Sequence, residues 1–367
     1  MTHDATPEII GILPHRFYSE VYAHPLSEFD TDLIRDCAQA HEAAGYDRVL
    51  IANSATYPDS MPIAAWVAAH TTKLKMMIAH RPGFVAPTMT ARMLATIDRL
   101  SGGRAGVHII TGSSDHEMES DGDFLTKEVR YERSREYVAV MKRIWASEEP
   151  FDHAGPFYRF NRGFAAVKPV QRPGLTVFWG GSSDKALEMG AEVADVYALG
   201  GGPVPKIREL IGRARALAAR HGRTLEFLLS IRVVLGDTED QAWANAHGLL
   251  RHLVEEQDGQ GKLVRQPGES REQAIDRAVA QAAEGSRAGC VFTAFSKVPV
   301  GRPVSNCMVG TVAQITDTVM QYYDAGVRRF ILAGYDPRRY PAEFGATLLP
   351  ALRAAMAAKG SRPSAAA

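Results

Sequence analysis

TVFWGGSSDKALEMGAE, residues 176–192, is the most informative stretch of this 367-residue chain. It predicts an apolar strand over 176–179, a tight glycine turn at 180–181, and a helix that begins in the Ser-Ser-Asp run 182–184. A helix N-terminus presents unpaired backbone N–H groups and a partial positive charge. Glycines before it let the backbone approach a ligand closely, and such junctions bind phosphate groups. The same residues also suit an ordinary strand–helix turn with a good N-cap.

Apolar strands followed by helices recur along most of the chain, which indicates parallel strands buried on both faces. Strands are predicted at 8–14, 47–53, 74–80, 104–112, 176–179, 194–199, 225–235 and 328–335. Eight strand–helix units favour a closed (β/α)8, or TIM, barrel of the α/β class over an open doubly wound sheet. No G-x-G-x-x-G follows a strand, which weighs against a dinucleotide-binding sheet. We therefore predict a single domain over residues 1–367.

Two long segments interrupt this rhythm. The first, about 113–173, contains a predicted helix over 131–145 and a small hairpin around 152–164. The second, about 255–303, is rich in Gly, Arg, Gln and Glu and has a helical middle. It is too long for an inert connection, so we expect it to be functional or partly mobile. The tail, about 360–367, is expected to be frayed.

The composition limits the classes of binding partner that the chain is expected to have. The chain has 42 basic and 42 acidic residues, so it offers no electrostatic case for binding nucleic acid or an anionic membrane. Its three widely spaced cysteines form neither a disulfide framework nor a metal-binding motif, which suits a reducing compartment. The sequence shows no signal peptide and no apolar run long enough to span a bilayer. We expect a cytoplasmic protein.

The carboxyl ends of barrel strands are where TIM-barrel chemistry takes place. The residues at these ends are rich in hydrogen-bond donors and cations and poor in carboxylates: Pro14, His15, Arg16, Asn53, Ser54, Tyr57, His80, Arg81, His108, Thr111, Ser230, Arg232 and Tyr335. No HExxH, CxxC or paired-carboxylate motif is present, so metal-dependent hydrolysis and glycosidase chemistry are poorly supported and no metal site is predicted. An anionic cofactor with an anionic or polar substrate fits better.

Each of these residues also has a structural interpretation. His80 and His108 suit hydrogen-bonded core histidines, and Arg81 suits a brace for the loop that follows it. Tyr57 and Tyr335 suit packing at the rim of a site. Arg232 differs, because it lies within an apolar strand, where a buried charge is costly without a partner. That position favours Arg232 as a site residue.

Three long motifs resemble the bacterial-luciferase-like flavin monooxygenases, and most of all their alkanesulfonate monooxygenase branch. They are ATIDRLSGGRAGVHIITGSSDHEMESDGDFLTKEVRYERSREYVAVMKRIW (95–145), FWGGSSDKALEMGAEVADVY (178–197) and GTVAQITDTVMQYYDAGVRRFILAGY (310–335). The resemblance extends over about 10–352 and implies a TIM barrel that binds FMN non-covalently. It also implies that reduced FMN (FMNH2) is a co-substrate delivered by a separate NAD(P)H-dependent flavin reductase, and that O2 oxygenates the substrate. In the sulfonate enzymes the products are an aldehyde and sulfite.

Site residues carry over by position. Ser182 and Ser183 match the phosphate-binding turn, and Tyr131 matches the tyrosine that reaches the phosphate. His108 stands where many members have an asparagine near the flavin ring. The predicted cofactor-binding residues are Gly181, Ser182, Ser183, Tyr131, His108, Thr111 and His80; the substrate-binding residues are Arg16, Tyr57, Arg232 and Arg302; and the catalytic residues are Arg232, Tyr335, His15 and Arg302. His15 or Arg16 matches a histidine after the first strand, Tyr335 a tyrosine after the eighth, and Arg302 the arginine of a mobile loop. The second long segment then resembles a gating lid.

The substrate side departs from the alkanesulfonate branch. Tyr57 replaces a cysteine, Leu199 and Gly200 replace a tryptophan, and Arg232 stands at the histidine of an Arg-x-His pair. The positions expected to contact the flavin match the alkanesulfonate branch more closely. This difference suggests a relative that acts on another substrate. We therefore predict a two-component FMNH2- and O2-dependent monooxygenase of a small organosulfur compound, with a sulfonate as first choice because guanidinium groups pair well with oxyanions.

The sequence leaves three alternatives open. One is an FMNH2-dependent monooxygenase with a non-sulfonate substrate. Another is a deazaflavin-dependent oxidoreductase of the same fold that transfers hydride. The third is a flavin-binding protein without activity. By analogy with the family we also expect a homodimer or homotetramer.

Overall fold

The computed structural model describes residues 7–15, 20–21, 29–112, 114–300 and 304–360. The strands are β1 (Glu8–Leu13), β2 (Arg48–Ile51), β3 (Lys75–His80), β4 (Ala105–Ile109), β5 (Phe151–Ala154), β6 (Arg159–Gly163), β7 (Thr176–Gly180), β8 (Val196–Gly200), β9 (Glu226–Leu235), β10 (Arg287–Ala288), β11 (Val291–Phe292), β12 (Cys307–Gly310) and β13 (Arg329–Ala333). The α-helices are α1 (Thr31–Ala44), α2 (Ser60–His70), α3 (Pro87–Leu100), α4 (Asp115–Glu119), α5 (Lys127–Ala146), α6 (Asp184–Val193), α7 (Val204–Arg220), α8 (Glu239–Gly259), α9 (Arg271–Ala283), α10 (Val312–Ala325), α11 (Tyr340–Ala346) and α12 (Leu348–Gly360), and a short 3-10 helix spans Phe295–Lys297. No helix in these ranges is both long enough and apolar enough to cross a membrane.

A closed barrel of parallel strands lies at the centre. Its order is β1-β2-β3-β4-β7-β8-β9-β13, and β13 pairs with β1 to close the ring. Every neighbouring pair in the ring is parallel. The predicted TIM barrel is confirmed, and each predicted strand overlaps one of these eight. The strands are apolar on both faces because helices cover the outside while side chains fill the inside.

The barrel interior is filled in its middle and open at one end. Ile10, Met77, Phe178, Val196, Leu228 and Ile331 form an apolar layer inside the ring. Because side chains alternate along a strand, the next inward positions toward the carboxyl ends include Gly180, Ala198 and Ser230. These three small residues are only half-buried. They leave a recess at the carboxyl end of the barrel, which we call the barrel mouth.

The segment predicted as the first insertion contains a regular barrel element. Helix α5 connects β4 to β7 and packs between α3 and α6, so it is the barrel helix of that unit. It begins at Lys127, four residues before the predicted start at 131. The predicted hairpin is confirmed as the antiparallel pair β5–β6.

The second long segment extends the sheet through β9. The first part of β9 pairs with β8 and β13, whereas Arg232–Leu235 pairs with Cys307–Gly310 of β12. Strands β11 and β10 then add to β12 in antiparallel fashion. The predicted helical middle is confirmed as α9, whereas strand β12 was not predicted. A second apolar cluster lies here, formed by Trp243, Leu250, Phe292, Phe295, Val309, Tyr335 and their neighbours.

Candidate active site

The turn between β7 and α6 is shaped for glycine at its centre. Gly181 has φ 145°. A Cβ atom on this residue would lie 2.5 Å from the Cβ of Ala186 and 2.7 Å from the hydroxyl oxygen of Tyr131. The absence of a side chain therefore lets α6 and the Tyr131 phenol, which comes from α5, close on the turn. Tyr131 and Gly181, predicted from separate parts of the sequence, lie side by side.

Hydroxyl groups collect at the start of α6. Ser183 is the N-cap, and its Oγ accepts a hydrogen bond from the Ala186 amide at 3.2 Å. Tyr131 hydrogen-bonds with Ser183, and burial raises the pKa of Tyr131, which keeps the phenol protonated. Ser182 is exposed beside them. Asp184 brings a negative charge, but it is ion-paired with Arg213. Hydroxyl donors at a helix N-terminus form a seat for a phosphate ester. We call Gly181, Ser182, Ser183 and Tyr131 the phosphate seat.

His108 lies next to this seat and points into the barrel mouth. Its Nε2 atom is 3.3 Å from the position of a Cβ on Gly180. Both of its ring nitrogens are buried without a hydrogen-bond partner in the described residues, as is Oγ1 of Thr111. Burial lowers the pKa of His108 to about 4, so the imidazole is neutral at pH 7. Buried polar atoms almost always have partners, so these three atoms indicate where a polar ligand completes the site.

Across the mouth from the phosphate seat lies a cavity of about 280 Å³. It is lined by Ile12, Leu13, Pro14, His15, Glu20, Leu50, Ala52, Tyr57, Arg232, Gly334, Tyr335, Pro337 and Tyr340. These residues lie at or beyond the carboxyl ends of β1, β2, β9 and β13, and β1 is opposite β7 in the ring. The mouth therefore combines a polar seat on one side with a largely apolar cavity on the other. We call the latter the substrate cavity.

Arg232 points into the substrate cavity, and its partner is Glu20. The two side chains form a largely buried ion pair. The amide of Ser305 donates to Oε2 of Glu20 at 3.0 Å, and the Ser305 hydroxyl donates to Oε1 at 3.2 Å. Burial alone would raise the pKa of Glu20, but Arg232 and these hydrogen bonds outweigh it and hold that pKa below its usual value. The pair is therefore charged at neutral pH.

Tyr335 extends this network. Its hydroxyl donates to the carbonyl oxygen of Ser305 at 2.8 Å, and its ring stacks on Phe295 with 5.3 Å between ring centroids. Burial raises the pKa of Tyr335 well above its usual value, so the phenol stays protonated. His15 and Tyr57 also meet at the cavity, with their ring centroids 4.4 Å apart. Arg16 and Arg302, also predicted for this site, lie outside the described residues.

Glu20 is a site residue that the sequence did not predict. This residue follows the first strand in a polar stretch with no periodic pattern, so nothing local marks it. The available signal was indirect, since a buried Arg232 requires an acidic partner.

His80 is a correction to the predicted cofactor-binding set. Its side chain points away from the mouth toward the outer helices, where Nε2 lies 2.8 Å from the hydroxyl of Tyr137 on α5. Burial, assisted by the charge of Arg81, lowers the pKa of His80 to about 4. This placement matches the structural interpretation, a hydrogen-bonded core histidine.

Arg81 is also structural. It donates to the side chain of Asn53 at 2.9 Å and to Asp121 at 2.6 Å, and Glu117 lies 3.8 Å away. Arg81 thereby connects the loops that follow β2, β3 and β4. This agrees with the structural interpretation of Arg81 as a brace. Among the described residues, no group of His, Cys, Asp and Glu is arranged to hold a metal ion.

Residues 9–329 match the family of luciferase-like monooxygenases. The chain belongs to this family. The resemblance seen in the sequence is confirmed at family level.

Solved structures agree on the fold. EDTA monooxygenase (EmoA) from Chelativorans sp. BNC1 superimposes with a TM-score of 0.73 at 18% identity, covering 98% of this chain and 95% of that one. Long-chain alkane monooxygenase (LadA) gives 0.75 at 17% identity over 99% and 93%. An F420-dependent secondary alcohol dehydrogenase in complex with an F420–acetone adduct gives 0.66 at 16% identity over 95% and 99%. Identities this low show a shared fold, so membership of the alkanesulfonate branch stays a prediction.

Proposed function

We propose that the protein is an FMNH2- and O2-dependent monooxygenase of a small organic molecule. The observation that carries this proposal is the phosphate seat beside His108 and Thr111, whose buried polar atoms have no partners in the described residues. The residues present fit FMN, because a seat for a phosphate ester and neutral polar groups for a flat heterocycle lie at one barrel mouth. Reduced FMN with O2 supplies the oxygenating chemistry, and an NAD(P)H-dependent flavin reductase supplies the FMNH2.

In this proposal the chain's own residues bind FMN, orient the substrate and keep water away from both. Ser182, Ser183 and Tyr131 hold the phosphate, and His108 hydrogen-bonds as a neutral imidazole. A cavity of about 280 Å³ accommodates a small substrate between His15, Tyr57 and Tyr335. His15 and Tyr335 are the candidates for proton transfer to or from the substrate. The apolar wall excludes water from the reacting groups.

Two classes of substrate, sulfonates and non-sulfonates, are compatible with this proposal. The sequence favoured a sulfonate of an organosulfur compound, bound by Arg232 with Arg302 and Arg16. The ion pair between Arg232 and Glu20 weakens that case, because the guanidinium is already neutralised. It supports the alternative in which the same enzyme chemistry acts on a non-sulfonate substrate.

Hydride transfer with a deazaflavin is the second candidate function. It is supported by the F420-dependent secondary alcohol dehydrogenase of the same fold. The two reactions differ in one requirement, since an oxygenase consumes O2 and a hydride-transfer enzyme does not.

The test is O2 consumption and product formation with a flavin reductase, NADH and FMN, over sulfonates and matched uncharged compounds. Consumption of O2 that depends on the protein, FMN and a substrate supports the monooxygenase, and sulfite release identifies a sulfonate as that substrate. Ser183→Ala should raise the FMN concentration needed for half-maximal rate, whereas Ser147→Ala, at a half-buried site beyond the far end of α5, should not. Turnover that requires F420 and proceeds without O2 would overturn the proposal.

A further inference from the structure

The two described residues of opposite charge that line the substrate cavity contact each other. Among the described residues that line it, Glu20 is the only acidic residue and Arg232 the only lysine or arginine. Their side chains are 14% and 12% exposed, respectively, and they contact each other directly. An anionic ligand that enters the cavity therefore meets an arginine whose charge is already balanced.

The carboxylate of Glu20 is fixed in place at both of its oxygens. Oε1 accepts from Arg232 and from the Ser305 hydroxyl, and Oε2 accepts from the Ser305 amide. Ser305 is itself anchored, because its carbonyl oxygen accepts from Tyr335 at 2.8 Å. The backbones next to these side chains are also joined, since the Arg232 amide donates to the carbonyl of Asn306, the residue after Ser305, at 3.1 Å. Displacing Glu20 from Arg232 would break several of these contacts together.

The energetic consequence depends on the charge of the ligand. An anion loses its hydration on entering the cavity and then lies beside the Glu20 carboxylate, where the two negative charges repel each other. An uncharged ligand does not encounter this repulsion. Arginine carries five N–H donors, so the paired Arg232 retains donors for an uncharged oxygen such as that of a carbonyl, sulfoxide or sulfone.

We propose that Glu20 is a specificity-determining residue, which directs the substrate cavity toward an uncharged small molecule with a hydrogen-bond-accepting oxygen and against sulfonates and carboxylates. This inference rests on the proposed function, since it identifies the cavity as the substrate site. Glu20 acts through Arg232, by fixing the charge that the guanidinium presents to a ligand.

The test uses ligand pairs of nearly equal shape and different charge. Dimethyl sulfone and methanesulfonate are one pair, and longer dialkyl sulfones with their alkanesulfonate counterparts extend the series. Dissociation constants are measured by calorimetry on the full chain with oxidised FMN present, so that no turnover is needed. For the wild type we expect each uncharged ligand to bind at least about tenfold more tightly than its anionic partner.

The variant Glu20→Gln should abolish this preference. It keeps the size of the side chain and removes the charge, so sulfonate affinity should rise at least about tenfold while sulfone affinity changes less than about threefold. Glu149→Gln, at an exposed site near β5, controls for the loss of one negative charge and should change neither. Because Glu20→Gln leaves Arg232 unpaired, a double variant, Glu20→Gln with Arg232→Gln, is the second arm. It should lose the gain in sulfonate affinity.

Three results would overturn the inference. They are equal or tighter binding of sulfonates by the wild type, an unchanged preference in Glu20→Gln, and failure of every pair to bind. A failure of the proposed function is distinguishable, because absence of O2-dependent turnover leaves the binding preference and its dependence on Glu20 intact.

Discussion

Ser183 combines two physical roles in one hydroxyl. As the N-cap of α6 it accepts from the Ala186 amide, and as part of the phosphate seat it contacts Tyr131. We predict that Ser183→Ala lowers the free energy of unfolding by about 1 kcal/mol through loss of the cap. It should also weaken FMN binding about tenfold, because a hydrogen bond to a charged group contributes about 1.5–3 kcal/mol.

Titration with FMN and with riboflavin separates these effects of Ser183→Ala. Riboflavin has no phosphate, so its affinity should be nearly unchanged, and Ser183→Thr, which keeps the hydroxyl, should bind FMN almost as well as the wild type. Equal losses for FMN and riboflavin would place the phosphate elsewhere.

His108 should make stability depend on pH. Burial lowers its pKa to about 4, below the ordinary histidine value of 6.5. Between these values the unfolded chain binds a proton that the folded chain does not, so stability is lost as pH falls from about 6.5 toward about 4. The slope should be up to about 1.4 kcal/mol per pH unit for each such histidine, and His41 and His80 share the same shift. Urea unfolding at pH 7, 6 and 5 measures it, and His108→Asn should reduce the slope by one histidine. An unchanged slope in His108→Asn would contradict the assignment.

The site residues divide by what the sequence could specify. Gly181, Ser182 and Ser183 were predictable, because a strand–glycine–helix junction can be recognised from a short stretch of sequence. The direction of His80 was not predictable from its strand. Both faces of a parallel strand are apolar here, so alternation does not reveal which face is inward, and His80 and His108 looked alike. Glu20 was unpredictable because only the fold brings it to Arg232.

At the scale of elements, the loops after β2, β3 and β4 depend on Arg81. Its side chain is 9% exposed, whereas those of Asp121 and Glu117 are 34% and 29% exposed. Removing a buried partner of an ion pair costs about 3–5 kcal/mol, but the solvent contact of the acids reduces this. We predict that Arg81→Met lowers the free energy of unfolding by about 1–3 kcal/mol.

Urea unfolding of Arg81→Met against Arg92→Met provides the measurement. Arg92 is exposed on α3, so its loss should change stability by less than about 0.5 kcal/mol. Arg81→Met should also weaken substrate binding. Arg81 holds Asn53 in the loop after β2, and Tyr57, which lines the substrate cavity, lies further along the same loop. Equal stability of the two variants would show that the brace contributes nothing.

Elements were predicted well where they were long and apolar. All eight barrel strands were found in this way, whereas β12 has only four residues and lies at the end of a polar segment. The start of α5 was missed because its first turn is polar and its N-cap, Thr126, makes no side-chain capping bond. Short strands and uncapped helix ends carry too little local signal, and tertiary pairing decides them.

At the scale of the whole molecule, β9 joins two apolar clusters. Leu228 and Leu229 belong to the barrel, and Val234, near the other end of the same strand, packs in the second cluster with Phe292 and Phe295. Tyr335 also belongs to the second cluster while lining the substrate cavity. The proposal of a single domain over the chain therefore has a physical basis, because neither cluster can lose its order without disturbing the strand they share.

We predict a single cooperative unfolding transition that includes both clusters. Far-UV circular dichroism reports the whole chain, and the fluorescence lost in Trp243→Phe isolates the second cluster, where Trp243 packs edge-on to Phe292 with 5.3 Å between ring centroids. The two signals should change at the same urea concentration. Phe295→Ala should lower the free energy of unfolding by about 3–5 kcal/mol and shift both urea midpoints together, because Phe295 is fully buried. It should also raise the dissociation constant of a substrate, since Tyr335 loses its stacking partner. Unfolding of the second cluster at a lower urea concentration than the barrel would instead show that residues 239–310 form a separate cooperative unit, and Phe295→Ala would then leave the barrel transition in place.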